Sequence, residues 1–280
     1  MAKKKDDIIY YKTDEEIELI RAACDLNSRA LALVAERIKP GAKGSDIDRE
    51  VETFLRDHGA TPGFKGLYGC PSTLLISNNE AVVHGLPSEK VFQEGDVVSV
   101  DCGTVLNDYY GDTAYTFVLG EVPQETMKLC QVTKTSLYLG IEQARIGRRI
   151  GDISYAVQYY CERIHRYGSV RELVGHGLGR KLHEAPQVPN FGKRGSGTKI
   201  QEGLVIAIEP MITQGKRHIQ TATDGWTVLT KDRKPSAHYE HTVAVRKDGP
   251  DILSTHEYLE AEIRKNPNVQ EVRSYEEVAA

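Results

Sequence analysis

Asp101 and Asp112 are residues whose type and spacing suggest chemistry. They lie on consecutive apolar strand patterns joined by turn residues at Asn107-Asp108. A hairpin pairing symmetrically about Leu106-Asn107 sets the two aspartates opposite each other. Cross-strand Cβ atoms are then about 4.5–5.5 Å apart, and like charges so placed are destabilising. A divalent cation removes that repulsion, because hard cations prefer carboxylate oxygens. Two aspartates on an exposed face explain the pair equally well. Glu209 tips the balance, since it ends the apolar run 204–208 and precedes Pro210. A carboxylate closing a core strand is unusual unless it meets a cation. Glu240, in Tyr239-Glu240-His241-Thr242-Val243, offers a fourth carboxylate. Alone it reads as a solvated strand residue, and its weight comes from the set.

Histidines add nitrogen donors. His176 lies in Gly175-His176-Gly177-Leu178-Gly179, where glycines let backbone approach a ligand closely. His183 opens His183-Glu184-Ala185-Pro186, and His84 opens His84-Gly85-Leu86-Pro87. A lone loop histidine is usually a polar surface residue, and His58, His165, His218 and His256 read that way. His241, beside Glu240, reads as structural.

In this order, the residues resemble the bacterial, type I methionine aminopeptidases over residues 13–245. The motifs are Val83-His84-Gly85-Leu86-Pro87, Asp101-Cys102-Gly103, Gly111-Asp112-Thr113, Gly175-His176-Gly177-Leu178-Gly179, Ile208-Glu209-Pro210 and Tyr239-Glu240-His241-Thr242. The resemblance implies the α+β pita-bread fold, with two pseudo-two-fold related helix-helix-strand halves around an antiparallel sheet. It also implies two divalent ions. Asp101 would chelate the first, Asp112 and Glu240 would bridge both, and His176 and Glu209 would complete the second. Four carboxylates balance two divalent ions, as a buried cluster requires. The oxygen-rich set with one imidazole suits manganese, iron(II) or cobalt better than it suits a thiolate-rich zinc site, and zinc stays among the candidate ions.

Two such ions about 3.5–4 Å apart hold and activate a bridging water for attack on the first peptide carbonyl. The resemblance assigns Glu209 to take the water's proton and His183 to hydrogen-bond the scissile carbonyl. It assigns His84 to the terminal amine or a proton transfer. It points to the 61–75 loop, including Phe64 and Leu75, and to Leu182 and Trp226 as walls of a first-residue pocket that His84 and His183 border. The implied reaction removes N-terminal methionine from nascent polypeptides and prefers a small second residue. Relatives often carry cysteines near Thr61 and Leu75, whereas here Cys70 stands where an aromatic is common. A proline-directed aminopeptidase of the same fold usually has a large extra N-terminal domain, and about twelve residues precede the first helix cap here. A metal-free binding protein on this scaffold loses ligands, and all five are present. A helical di-metal carboxylate protein needs a Glu-x-x-His motif on each of two helices; only Glu162-Arg163-Ile164-His165 has that spacing here, and the candidate acids sit on strands.

The elements that position these residues follow from punctuation and period. Thr13-Asp14-Glu15-Glu16 is a capping box that opens a helix ending near Lys39-Pro40-Gly41. Ser45 is expected to cap a second helix that runs to His58-Gly59, before a glycine-rich loop over 61–71. From Asp96 the period becomes two, with Val98, Val100 and Cys102 on one face and Val97, Ser99 and Asp101 on the other. A strand over 112–118, helices over 126–146 and 152–167, a loop to about Gln201 and a second strand region over 203–245 follow. Gln93-Glu94-Gly95 and its strand, closing on Asp101, lie 108 positions before Gln201-Glu202-Gly203 and its strand, closing on Glu209. Residues 41–47 resemble 147–153 at an offset of 106. Two matches at nearly one offset indicate a duplication. The expected division is an extension over 1–12, a catalytic domain over 13–250 and a surface tail over 251–280.

Net charge is -4, and the clusters Lys3-Lys4-Lys5 and Lys231-Asp232-Arg233-Lys234 have acids beside them. Neither nucleic-acid nor membrane-surface binding is expected. Five cysteines without Cys-x-x-Cys spacing indicate reduced thiols. There is no secretory signal and no apolar run of about 20 residues. The expectation is a cytoplasmic monomer acting on peptide N-termini of nascent chains, with a transient ribosome association. Met1-Ala2 makes its own N-terminus a candidate substrate.

Overall fold

The first helix, α1 (Asp14–Arg37), starts where its capping box requires. Glu16 N–H donates to Thr13 Oγ1 (3.3 Å), and Thr13 N–H donates to Glu16 Oε2 (3.0 Å). The computed structural model describes residues 8–275, so Met1-Ala2 and Lys3-Lys4-Lys5 lie outside the described residues. Helix α2 (Gly44–Asp57) corrects one expectation. Ser45 is its second residue, and Lys43 holds the cap position without a side-chain bond. The entry is fixed from outside, by Ser45 N–H donating to Ser88 O (3.1 Å) and by a bridge between Lys43 and Val91.

Strands β1 (Thr61–Pro62), β2 (Leu74–Asn78), β3 (Ala81–Val83), β4 (Val97–Leu106) and β5 (Tyr109–Leu119) follow. Asn107 and Asp108 both adopt left-handed φ (51° and 64°) and form the two-residue turn of the β4–β5 hairpin. The pairing is therefore centred one residue later than expected, with Leu106 opposite Tyr109. Asp101 stands opposite Ala114, and Asp112 opposite Gly103. The aspartates are diagonal neighbours on one face rather than direct partners.

Helices α3 (Gln124–Ile141) and α4 (Ile150–Gln158) each begin two residues before their expected starts. α4 continues as a π-helical turn, Tyr159–Ile164. The stretch expected as loop up to Gln201 contains β6 (Gly168–Ser169), β7 (Gly175–Gly177) and β8 (Glu184–Val188). These strands are too short to show a period; β6 and β7 form because the later strands of the chain pair with them, and β8 pairs with β7. The chain then builds β9 (Val205–Ile208), β10 (Met211–Thr213), β11 (Ile219–Thr221), β12 (Val228–Thr230), β13 (Ser236–His238), β14 (Glu240–Arg246), β15 (Gly249–Ile252), α5 (Glu257–Ile263) and β16 (Val269–Gln270).

The main sheet runs β1-β4-β5-β14-β9-β7-β8, with β2 on β4, β15 on β14 and β16 on β5. The duplication is visible in its hydrogen bonds. Gly41 N–H donates to Phe92 O (2.9 Å) in one half, and Gly147 N–H to Ile200 O (3.3 Å) in the other. Both glycines have φ of +88°. The Lys43–Val91 bridge likewise has its counterpart in Arg149–Lys199. The halves join where β5 meets β14, with Glu240 opposite Ala114.

Packing against α1 sets the height of the two aspartate strands. A Cβ on Gly111 would sit 2.5 Å from Cys24 N, so only glycine lets β5 lie this close to α1. Buried Asn27 donates to Cys102 O and accepts from Thr104 Oγ1 (2.6 Å), tying α1 to β4 on either side of Gly103.

Residues 251–275 are not the frayed surface tail expected from sequence. Leu259, Ile263, Val269 and Val272 are buried in the main core. Asn266 Nδ2 donates to Ala35 O and Ile38 O (2.8 and 2.9 Å), satisfying carbonyls at the C-terminal end of α1. At the other end, Lys12 N–H donates to Gly203 O (2.7 Å), and the Lys12–Glu184 ion pair is almost fully buried.

Candidate active site

Five neighbouring strands of the main sheet each bring one candidate ligand to the same place. In sheet order these are Asp101 on β4, Asp112 on β5, Glu240 at the start of β14, Glu209 just past β9 and His176 on β7. His176 Nε2 lies 3.6 Å from Asp112 Oδ2 and 3.6 Å from Glu209 Oε1. Ligand atoms of Asp112, His176 and Glu240 fall within 4.8 Å of one another, and Asp101 and Glu209 border that cluster.

The electrostatics of this group are unbalanced by protein alone. Buried Asp101 Oδ1, Asp112 Oδ1 and Glu240 Oε1 have no hydrogen-bond partner among the described residues. Burial pushes Asp101 up to about 7, with Glu209 adding to the rise against the opposing effect of His238. Burial alone pushes Glu209 up to about 8. Asp112 and Glu240 rise well above the carboxylate range, from burial first and neighbouring carboxylates second. Among the described residues, no lysine or arginine lines the cavity. The donor set therefore fits divalent cations, which would satisfy the orphaned oxygens and allow the acids to ionise.

His176 is held as a neutral donor, as a candidate ligand needs to be. Burial lowers its pKa to about 3, which keeps the ring neutral. Its Nδ1 lies 3.0 Å from Gly177 O. A carbonyl can only accept, so Nδ1 carries the proton and Nε2 turns its lone pair toward the carboxylates.

His84 follows β3 with φ of 59°, and burial lowers its pKa to about 4. The turn after it needs glycine, because a Cβ on Gly85 would sit 2.2 Å from Ile76 O. His183 is exposed at the mouth, its ring edge-on to His176 with centroids 4.5 Å apart. The five ligand candidates, His84, His183, Phe64, Leu75, Leu182 and Trp226 all line one cavity of about 290 Å³. Phe64, Cys70, Leu75 and Leu182 form its apolar wall, with Trp226 packed against them.

The sequence pattern of metallopeptidase family M24 matches residues 18–247. The chain belongs to that family. It is 47% identical over 247 residues to a methionine aminopeptidase of Clostridium perfringens, covering 88% of this chain and 99% of that protein. The crystal structure of a methionine aminopeptidase from Thermotoga maritima superposes with a TM-score of 0.87 at 40% identity, covering 89% of this chain and 100% of that one. The prolidase from Pyrococcus furiosus, 24% identical, shares the fold with a TM-score of 0.72 over 88% of this chain and 65% of that one. The fold is the pita-bread fold of metallopeptidase family M24.

Sequence reasoning did not single out His238 or Tyr68 in this M24 cavity and misread His256 nearby. His238 lines the cavity, with Nε2 3.7 Å from Glu209 Oε2. A signal existed, since the period-two strand pattern puts residues 238 and 240 on one face. Tyr68 is 76% exposed, holds φ of 52° and stacks on His183 with centroids 5.9 Å apart. Nothing local marks it, because its contact crosses 115 positions of sequence. His256, expected on the surface, is buried, with its ring 3.9 Å from that of His241. His241 bonds Ser254 Oγ (3.0 Å) and Tyr138 OH (3.3 Å), as a structural residue does.

Proposed function

We propose that this chain is a metal-dependent aminopeptidase that removes N-terminal methionine from polypeptides and prefers a small second residue. The observation that carries the reading is the convergence of five ligand candidates from both halves of the duplication beside an apolar pocket. Two divalent cations, from the set manganese, iron(II), cobalt and zinc, would be held by Asp101, Asp112, His176, Glu209 and Glu240. Bound there, they would lower the pKa of a water and offset charge developing on the scissile carbonyl.

The chain's own groups do the rest. Glu209 takes the proton of the attacking water on a carboxylate lone pair. His183, edge-on to His176, donates to the carbonyl oxygen of the first peptide bond. His84, kept neutral by burial, receives the terminal amine and can accept a proton from it. Phe64, Leu75, Leu182 and Trp226 enclose an unbranched apolar side chain, and the small cavity limits bulk at the second residue.

We further infer a cytoplasmic monomer that meets nascent chains through a transient contact at the ribosome. Among the described residues, no helix is long and apolar enough to cross a membrane.

The test is release of the first residue from short peptides varied at positions one and two, after chelation and with each metal restored. Methionine followed by glycine, alanine or serine should be cleaved only with metal, and calorimetry should count two ions per chain. Asp112→Asn should abolish turnover at saturating metal. Full turnover by the chelated protein, or by Asp112→Asn, would remove the basis of the reading.

A further inference from the structure

His238 is a titratable group of the cavity that none of these roles uses. It closes β13, is 2% exposed, and its Nε2 has no hydrogen-bond partner. Leaving a buried polar nitrogen unpaired costs about 1–3 kcal/mol. Glu209 Oε2 lies 3.7 Å from that nitrogen.

Glu209 is thus flanked by two imidazoles that address different oxygens. His176 Nε2 faces Oε1 at 3.6 Å, and His238 Nε2 faces Oε2. The backbones on both sides are fixed. Asn190 Nδ2 donates to Glu209 O (2.9 Å), and the β10–β13 pairing sets His238 opposite Met211, two residues past Glu209. The supporting strands belong to the small sheet β13-β10-β6, so a second sheet braces a carboxylate that the main sheet presents.

The protons of the two rings are placed differently. His176 Nδ1 is committed to the Gly177 carbonyl, so its Nε2 offers a lone pair. No such carbonyl bond commits His238 Nδ1 among the described residues. A lone pair on His238 Nε2 would face the ionised oxygen repulsively, whereas an N–H there is attracted to it.

We propose that His238 is the positioning residue for Glu209. Its Nε2–H donates to Oε2 and leaves Oε1 as the oxygen that Glu209 presents to a cation. The second lone pair of Oε2 stays free for a proton. The proposal rests on the metal site described above.

The test begins with manganese titrated calorimetrically into chelated wild-type protein, His238→Ala and His238→Gln. Loss of the imidazole should weaken the lower-affinity ion by roughly 10–100-fold, the usual effect of removing a ligand's supporting partner. Glutamine can place an amide N–H near the same point and should recover most of the loss. The visible spectrum of the cobalt-loaded protein should shift in His238→Ala and return in His238→Gln. In zinc-loaded wild-type protein with ¹⁵N-labelled histidine, His238 Nε2, identified by its absence from His238→Gln or His238→Asn, should show a one-bond N–H coupling.

His238→Ala binding both ions like the wild type overturns the proposal. So does a His238 Nε2 that carries no proton. If His238→Ala fails to fold, His238→Gln and the wild-type spectrum decide. Wild-type protein that binds no divalent ion refutes the metal site itself, which is a different failure.

Discussion

Removing the metals should make this protein's stability fall as pH rises through neutrality. In an unfolded chain the four site carboxylates ionise near pH 4. In the folded, metal-free protein burial holds Asp101 at about 7 and Glu209 at about 8, and it pushes Asp112 and Glu240 well above the carboxylate range. A folded pKa above the unfolded one gives stability that is complete at low pH and lost as pH rises through the folded value. Buried histidines run the other way. His84 is held near 4, and His176 and His241 near 3, so their contribution is present above about 6.5 and lost on acidification. Between pH 7 and 8 only the carboxylates of this group change. Each proton kept by the folded state lowers stability by about 1.4 kcal/mol per pH unit. Asp101 and Glu209 together keep about one proton over this interval, and Asp112 and Glu240 can add at most one each, so the loss is at most roughly 4 kcal/mol. That is an upper bound, because water in the cavity screens the charges, yet it is a large share of a typical total of about 5–15 kcal/mol. Urea unfolding followed by far-UV circular dichroism at pH 7 and 8, with chelator and with manganese, measures it. The metal-loaded protein should be nearly flat, because its carboxylates are already ionised. Equal stability of the chelated protein at both pH values, or an equal decline in the loaded protein, would refute the reasoning.

Three further perturbations probe other parts of the structure. His84→Ala should lower kcat by roughly 10²–10⁴-fold with metal affinity intact, read by steady-state kinetics beside calorimetry; unchanged turnover would show that His84 handles no proton. A Cβ on Gly103 would sit 2.5 Å from the Phe64 ring, so Gly103→Ala should displace the pocket wall. KM for methionine-first peptides should then rise roughly tenfold while metal binding holds, and an unaltered KM would remove Phe64 from the pocket. Lys12→Met strands Glu184 in a buried setting and should cost about 3–5 kcal/mol in urea unfolding; a neutral effect would mean that residues 8–12 are dispensable for stability.

Short-range order was written in the sequence. The capping box of α1, the period-two run that ends on Asp101, and the paired Gln-Glu-Gly strands depend on neighbours a few residues apart, and all three appear in the structure. Glu209 was readable as a ligand candidate as well, because a carboxylate at the end of an apolar strand conflicts with its surroundings; the full set of five came from the family resemblance. Matters of pairing were different. The one-residue shift of the β4–β5 hairpin follows from which turn residues accept left-handed φ, and it moved the aspartates from opposite to diagonal. Strands β6 to β8 have no period of their own: β6 forms on β10, β7 on β9, and β8 on β7. Residues 251–275 look polar and aperiodic, yet they complete the core, since Leu259 and Ile263 find the apolar surface around α1 only after the chain has folded. Sequence alone offered the candidates for holding a cation. Tertiary structure decided which of them meet, that His238 and Tyr68 join them, and which oxygen each imidazole faces, because those distances are set by contacts between residues far apart along the chain.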